Sequence, residues 1–168
     1  IFHFFGVSLT TLLFFILSIS FVIIFFIDFK HFIIPNELTY PLMIIGILKS
    51  FDPNLNTTLF PNLVNSLVGG FFGYVIIWLI IFTYKKIRNK EGMGLGDAKL
   101  LSAIGFWFGW MSIPFIIFFS SVAALISVIP DLITNKKKLS SQIPFGPFII
   151  IGTLIFLFSN DYIKIFLN

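Results

Sequence analysis

The stretch LVNSLVGGFFGYVIIWLIIFTY, Leu63 to Tyr84, runs directly into KKIRNK, Lys85 to Lys90. A run this long and apolar crosses a hydrocarbon core of about 30 Å as a helix, and the cations that close it mark the end held on the cytoplasmic side. The composition agrees. Of 168 residues, 58% are hydrophobic, 25 are phenylalanine and only 11% are charged. With a mean hydropathy of +1.05, the chain carries more apolar surface than a soluble domain of this size can hide. Lipid is the solvent this sequence calls for.

Working outward, Val7 to Ile27 has only Ser and Thr as polar residues, and their hydroxyls can bond back to the helix. Asp28 ends that segment. Leu38 to Leu48 is short, carries Pro41 and reads as a tilted or partly sunk helix. The run Ala98 to Ile133 is too long for one crossing and splits at Trp110-Met111-Ser112-Ile113-Pro114, an interfacial aromatic followed by a helix breaker. Phe145 to Phe158 makes the last segment. The fold class is all-α, a polytopic bundle of about six transmembrane helices. Residues 1–168 are expected to form a single membrane-embedded domain with no room for a soluble one.

Placing Asp28 on the cytoplasmic side puts nine of the eleven cations there: Lys30, Lys85, Lys86, Arg88, Lys90, Lys99, Lys136, Lys137 and Lys138. Lys49 and Lys164 remain opposite. Both ends of the chain then face away from the cytoplasm, and with Ile1 as its first residue the chain is expected to lack an N-terminal portion. The formal charge of +4 is spread in short runs between apolar segments, which suits an anionic inner leaflet and excludes a nucleic-acid partner. Cysteine is absent, so disulfides, a thiol nucleophile and a Cys-based zinc site are excluded. Gly69 with Gly73 and Gly105 with Gly109 are spaced for close packing between helices of this chain.

Two acids stand out by position, because Asp28 closes the first helix and Asp97 opens the fourth on the same side of the membrane. An ionisable group at the membrane boundary is costly enough to suggest function. For Asp28 alone, a helix-end marker suffices. Asp97 follows Glu91-Gly92-Met93-Gly94-Leu95-Gly96, and glycine at every second position is not a helical pattern. It leaves the backbone bare where another backbone must come close. Asp97 itself is expected at the N-cap of the fourth helix. Neither the P-loop nor the dinucleotide spacing is met. His3 and His31 have no partners spaced for metal binding, Asp52 and Asp161 read as solvated, Asp131 as a helix end and Glu91 as a loop acid.

The run Gly92-Met93-Gly94-Leu95-Gly96-Asp97-Ala98-Lys99-Leu100-Leu101 resembles the GxGD signature of type IV prepilin peptidases. Asp28-Phe29-Lys30-His31-Phe32-Ile33-Ile34-Pro35-Asn36-Glu37-Leu38-Thr39 is similar to that family's first aspartate and the segment that follows it. Ile143-Pro144-Phe145-Gly146-Pro147-Phe148 is similar to its IPFGPF segment. The resemblance implies an aspartic endopeptidase that removes leader peptides from type IV prepilins and from the pseudopilins of type II secretion, with Asp28 and Asp97 as the catalytic pair. Gly94, Gly96, Lys99, Pro35, Pro144, Gly146 and Pro147 are implied as substrate-binding or supporting residues. It further implies a multi-pass protein of the bacterial inner membrane, in contact with its lipids, with the active site near the cytoplasmic face. No metal or cofactor is implied. The family's methyltransferase part, with its paired cysteines, has no counterpart in these residues. A preflagellin-type GxGD protease is the nearest alternative, and a non-catalytic transport subunit with aspartates on an ion path is the alternative from another class.

Two carboxylates brought together in a partly dry site share one proton, so one can draw a proton from water while the other gives one to a scissile carbonyl. Lys99, two residues after Asp97, points away from it on a helix. The spans following Asp28 and Asp97 are the shortest. At about 1.5 Å per residue they fall short of a core of about 30 Å, so the aspartates are expected in a shallow, water-filled recess.

Overall fold

The computed structural model describes residues 9–52, 55, 60–88, 94–133 and 143–167. His3, Lys90, Glu91, Gly92 and Lys136 to Lys138 lie outside the described residues, as do the side chains of Arg88, Asp131, Asp161 and Lys164. Among the described residues the chain forms six helices: α1 (Leu9–His31), α2 (Asn36–Lys49), α3 (Leu63–Arg88), α4 (Leu95–Phe108), α5 (Ser112–Ile133) and α6 (Gly146–Leu167). Three of them, α1, α3 and α5, are long and apolar enough to cross a membrane. This is a helical membrane protein.

The outward faces of the long helices stay apolar. Leu12, Phe15, Ile19, Val22 and Phe26 on α1 and Phe71, Trp78, Leu79 and Phe82 on α3 are all exposed, a surface that lipid wets at no cost and water does not. Polar groups in these helices satisfy themselves. Ser18, Ser20 and Thr153 donate to carbonyls four residues back, at 2.7, 2.9 and 2.8 Å, as the sequence leads one to expect of hydroxyls in lipid.

Helix α4 is the centre of the bundle. Ala98, Leu100, Leu101, Ala103, Ile104 and Trp107 are all buried, so a helix too short to cross the core is wrapped in protein instead of meeting lipid. Its closest neighbour is α3, which runs antiparallel to it. Gly69 lies against the backbone of Gly105 and Gly109, and Gly73 against Leu101, so the two glycine pairs meet each other as intramolecular packing. Without Cβ atoms the two backbones come close enough for side chain to backbone bonds. Ser102 donates to the Gly70 carbonyl at 2.8 Å, and Ser66 donates to that of Phe106. On the α2 side, Gly46 makes room for the Trp107 ring, whose indole N–H reaches the Leu42 carbonyl at 2.8 Å.

The expected break near Trp110 is present and sharper than a proline kink. Helix α4 stops at Phe108, Gly109 turns at φ +79°, and α5 begins at Ser112. At the same end of the bundle the Lys49 ammonium is buried without a hydrogen-bond partner among the described residues, 4.4 Å from the centre of the Phe60 ring and 5.9 Å from that of Trp107. Cation–π attraction to two rings offsets part of its lost hydration.

The glycine contacts make a direct stability prediction. Gly105→Ala places a methyl group on the Gly69 carbonyl, where only backbone could yield, and is expected to cost about 1–3 kcal/mol. Gly94→Ala meets nothing closer than 3.8 Å and should stay within about 0.5 kcal/mol of the parent. Thermal unfolding of the two variants in detergent compares them.

Candidate active site

Helix α1 continues one turn beyond Asp28, to His31, so Asp28 lies inside the helix instead of ending it. It is 4% exposed, and Asp97 is 7% exposed. In a bundle whose surface is almost wholly apolar, two buried carboxylates are the exception that calls for a cause.

Asp28 faces α6. Its Oδ2 accepts a hydrogen bond from the Gly146 N–H at 3.0 Å, one of the free amides at the start of that helix. Only glycine permits this approach, since a Cβ on residue 146 would lie 2.6 Å from the same oxygen. Pro147 follows in the first turn of α6, where its missing N–H costs nothing. Pro144, half-buried, precedes it in the extended lead-in to the helix.

Asp97 is not the N-cap. Gly94 holds that position in extended backbone, and Asp97 sits three residues in, its N–H donating to the Gly94 carbonyl at 3.2 Å. The last glycine of the alternation, Gly96, therefore lies within the first turn of α4, while Gly94 stands just before it. Gly96 is helical, and the reason it lacks a side chain is spatial: its Cβ would stand 3.0 Å from that of Ile34. Asp97 and Asp28 share a neighbour: Ile34 meets the Cβ position on Gly96, next to Asp97, and its Cδ1 lies 3.0 Å from the Cβ position on Gly146, beside the Asp28 carboxylate. Helices α1, α4 and α6 thus bring Asp28, Asp97, Gly96 and Gly146 to one place.

The other expected residues lie around this centre. Lys99 points away from both carboxylates, donating to Asn36 Oδ1 at 2.7 Å with its ammonium 5.3 Å from the Tyr40 ring centre, and so ties α4 to the start of α2. Pro35 is the N-cap residue of α2, and its carbonyl accepts from the N–H of Thr39 at 3.2 Å. Gly94 is exposed and borders open space just before α4. His31 is exposed at the end of α1. Sequence reasoning passed over Ile34 as a site residue; it is buried between the first turns of α4 and α6. Its one sequence signal was an apolar pair, Ile33-Ile34, in a connection too short to need one.

A helical membrane bundle that buries a carboxylate from each of two helices beside glycine backbone defines the class. The model of the type IV leader peptidase family matches residues 7–129, and the chain belongs to that family. The chain is similar to the prepilin leader peptidase/N-methyltransferase of Aeromonas hydrophila, 34% identical over 138 residues, which make up 82% of this chain and 46% of that protein. The protein of the same name from Xanthomonas campestris pv. campestris is 38% identical over 144 residues, 84% of this chain and 48% of its own length. That of Pseudomonas aeruginosa is 37% identical over 138 residues, 82% and 46%. The chain spans about half the length of the curated relatives it matches. No solved structure matches it.

The link between Lys99 and Asn36 is open to a double-mutant cycle. Lys99→Met and Asn36→Ala are each expected to destabilise the fold slightly, with a coupling of about 0.5 kcal/mol for this exposed, charge-assisted bond. Equilibrium unfolding of the parent, both single variants and the double variant measures it.

Proposed function

We propose that this chain is an aspartic endopeptidase that cleaves the leader peptides of type IV prepilins and pseudopilins, with Asp28 and Asp97 as its catalytic pair. The observation that carries this is the burial of two carboxylates, from helices far apart in the chain, around one shared neighbour, Ile34. Two carboxylates placed so repel each other when both are ionised. Structural burial alone would favour apolar residues at both positions, since an acid pair held only for packing costs more than it returns.

The chemistry follows from the repulsion. One proton shared by the pair lowers it and leaves one ionised and one protonated carboxyl. The ionised group takes a proton from a water molecule as that water attacks the scissile carbonyl carbon. The protonated group gives its proton to the carbonyl oxygen, and a tetrahedral diol forms without a covalent enzyme intermediate. Return of a proton to the amide nitrogen breaks the C–N bond. The Gly146 N–H fixes one oxygen of Asp28, leaving the other to face the water. Bare, exposed backbone at Gly94 leaves an approach to the first turn of α4 open to an extended peptide, while Gly96 makes room for Ile34, and Pro35, Pro144 and Pro147 hold the surrounding turns in shape.

The same end of the bundle carries Lys30, Lys85 and Lys86, all exposed, and by the positive-inside rule these cations support a position of the pair at the cytoplasmic face of the inner membrane. The two helices that follow the aspartates, α2 and α4, have 14 residues each, about 21 Å at 1.5 Å per residue. That shortfall against a core of about 30 Å favours a site recessed below the headgroups. The site is a single membrane-embedded peptidase unit in this account, and methyl transfer is not assigned to it.

Asp28→Asn and Asp97→Asn are each expected to lower prepilin cleavage by at least about a thousandfold while leaving the fold intact. Cleavage by purified protein in lipid, followed by gel shift of the prepilin, measures this. Full activity in either variant would remove the pair from the mechanism.

A further inference from the structure

The connection between α1 and α2 is only a few residues long, yet it turns through an unfavourable backbone. Phe32 has φ +57°, in the left-handed region that a bulky side chain avoids, and its N–H donates to the Asp28 carbonyl at 2.8 Å. Phe32 and Ile33 are left exposed by this turn. Ile34 is driven inward and buried. The next residues are anchored, Pro35 as the N-cap of α2 and Asn36 by Lys99 of α4.

The Ile34 side chain then occupies the gap between the two halves of the site. Its Cδ1 lies 3.0 Å from where a Cβ on Gly146 would be, beside the Asp28 carboxylate, and 3.6 Å from the corresponding point on Gly96, next to Asp97. One methyl group thus touches both glycines that flank the aspartates. We infer that Ile34 is a positioning residue, a spacer that sets the separation of the Asp28 and Asp97 carboxyl groups by wedging α4 and α6 apart at their first turns. This rests on the catalytic assignment proposed above. A filled gap at this point keeps α4 and α6 from closing on each other, which leaves room between the two carboxyl groups for the attacking water and holds it in register with both. A strained turn that costs stability in order to seat one side chain is accounted for by that role.

Ile34→Val removes only Cδ1, and Ile116→Val removes the same group from a fully buried position on α5 as a packing control. Both variants are expected to melt at similarly lowered temperatures. With the prepilin substrate, Ile34→Val should lower kcat about tenfold with KM within about twofold of the parent, as expected of a small displacement of the reacting groups. Ile116→Val should keep the parent kcat, and Ile34→Met, which restores the reach, should recover most of the loss. Equal kcat in Ile34→Val and Ile116→Val would overturn the proposal and leave Ile34 as packing. If Ile34→Val fails to fold, Gly96→Ala presses the same contact from the other side, and an unchanged kcat there overturns the proposal as well. Failure of the parent protein to cleave at all, or full activity of Asp28→Asn or Asp97→Asn, would instead be the failure of the protease assignment itself.

Discussion

A helix the length of α4 cannot bridge a bilayer, and the remainder of the molecule is organised around keeping it out of lipid. Enclosure by α2, α3, α5 and α6 satisfies that requirement, and it also lets Asp97 at one end of α4 be buried by protein instead of hydrocarbon. Polar atoms are tolerated there because donors and acceptors on neighbouring helices can be brought to them. The Gly146 amide at Asp28 is the clearest case.

Glycine does two separate jobs in this arrangement. Along α3 and α4 it removes bulk so that backbones touch and Ser66 and Ser102 can reach carbonyls on the facing helix. At residues 96 and 146 it removes bulk beside a carboxylate, where the space is taken by Ile34 and by Asp28 itself. The first use holds helices together, while the second shapes a site, and nothing in the local spelling of the sequence separates them.

Much of the fold was legible beforehand, because hydropathy over long runs and the placement of lysines depend on the lipid alone. The break near Trp110, the two short helices and the use of the glycine pairs for packing within the chain all followed from run lengths and spacing, while the turn at Gly109 and the meeting of Gly69 with Gly105 came from the structure. Asp97 at the N-cap did not hold, since alternating glycines look like loop until one knows that Ile34 fills the place of a side chain at residue 96. The burial of Asp28 was likewise beyond local reasoning. It depends on a helix that begins more than a hundred residues later, and an acid near a helix end reads the same whether it meets water or another backbone.

The Lys49 box at the opposite end of α4 ties three positions into one heritable unit. Among the described residues the ammonium is held by the faces of Phe60 and Trp107, so loss of either ring would leave it short of a counter-group, while an aliphatic residue at 49 would release both rings to vary. Drift at these three sites should therefore run in one order. The cation goes first and the aromatics follow, so that lineages keeping lysine keep the rings, and lineages without it show a patchwork there.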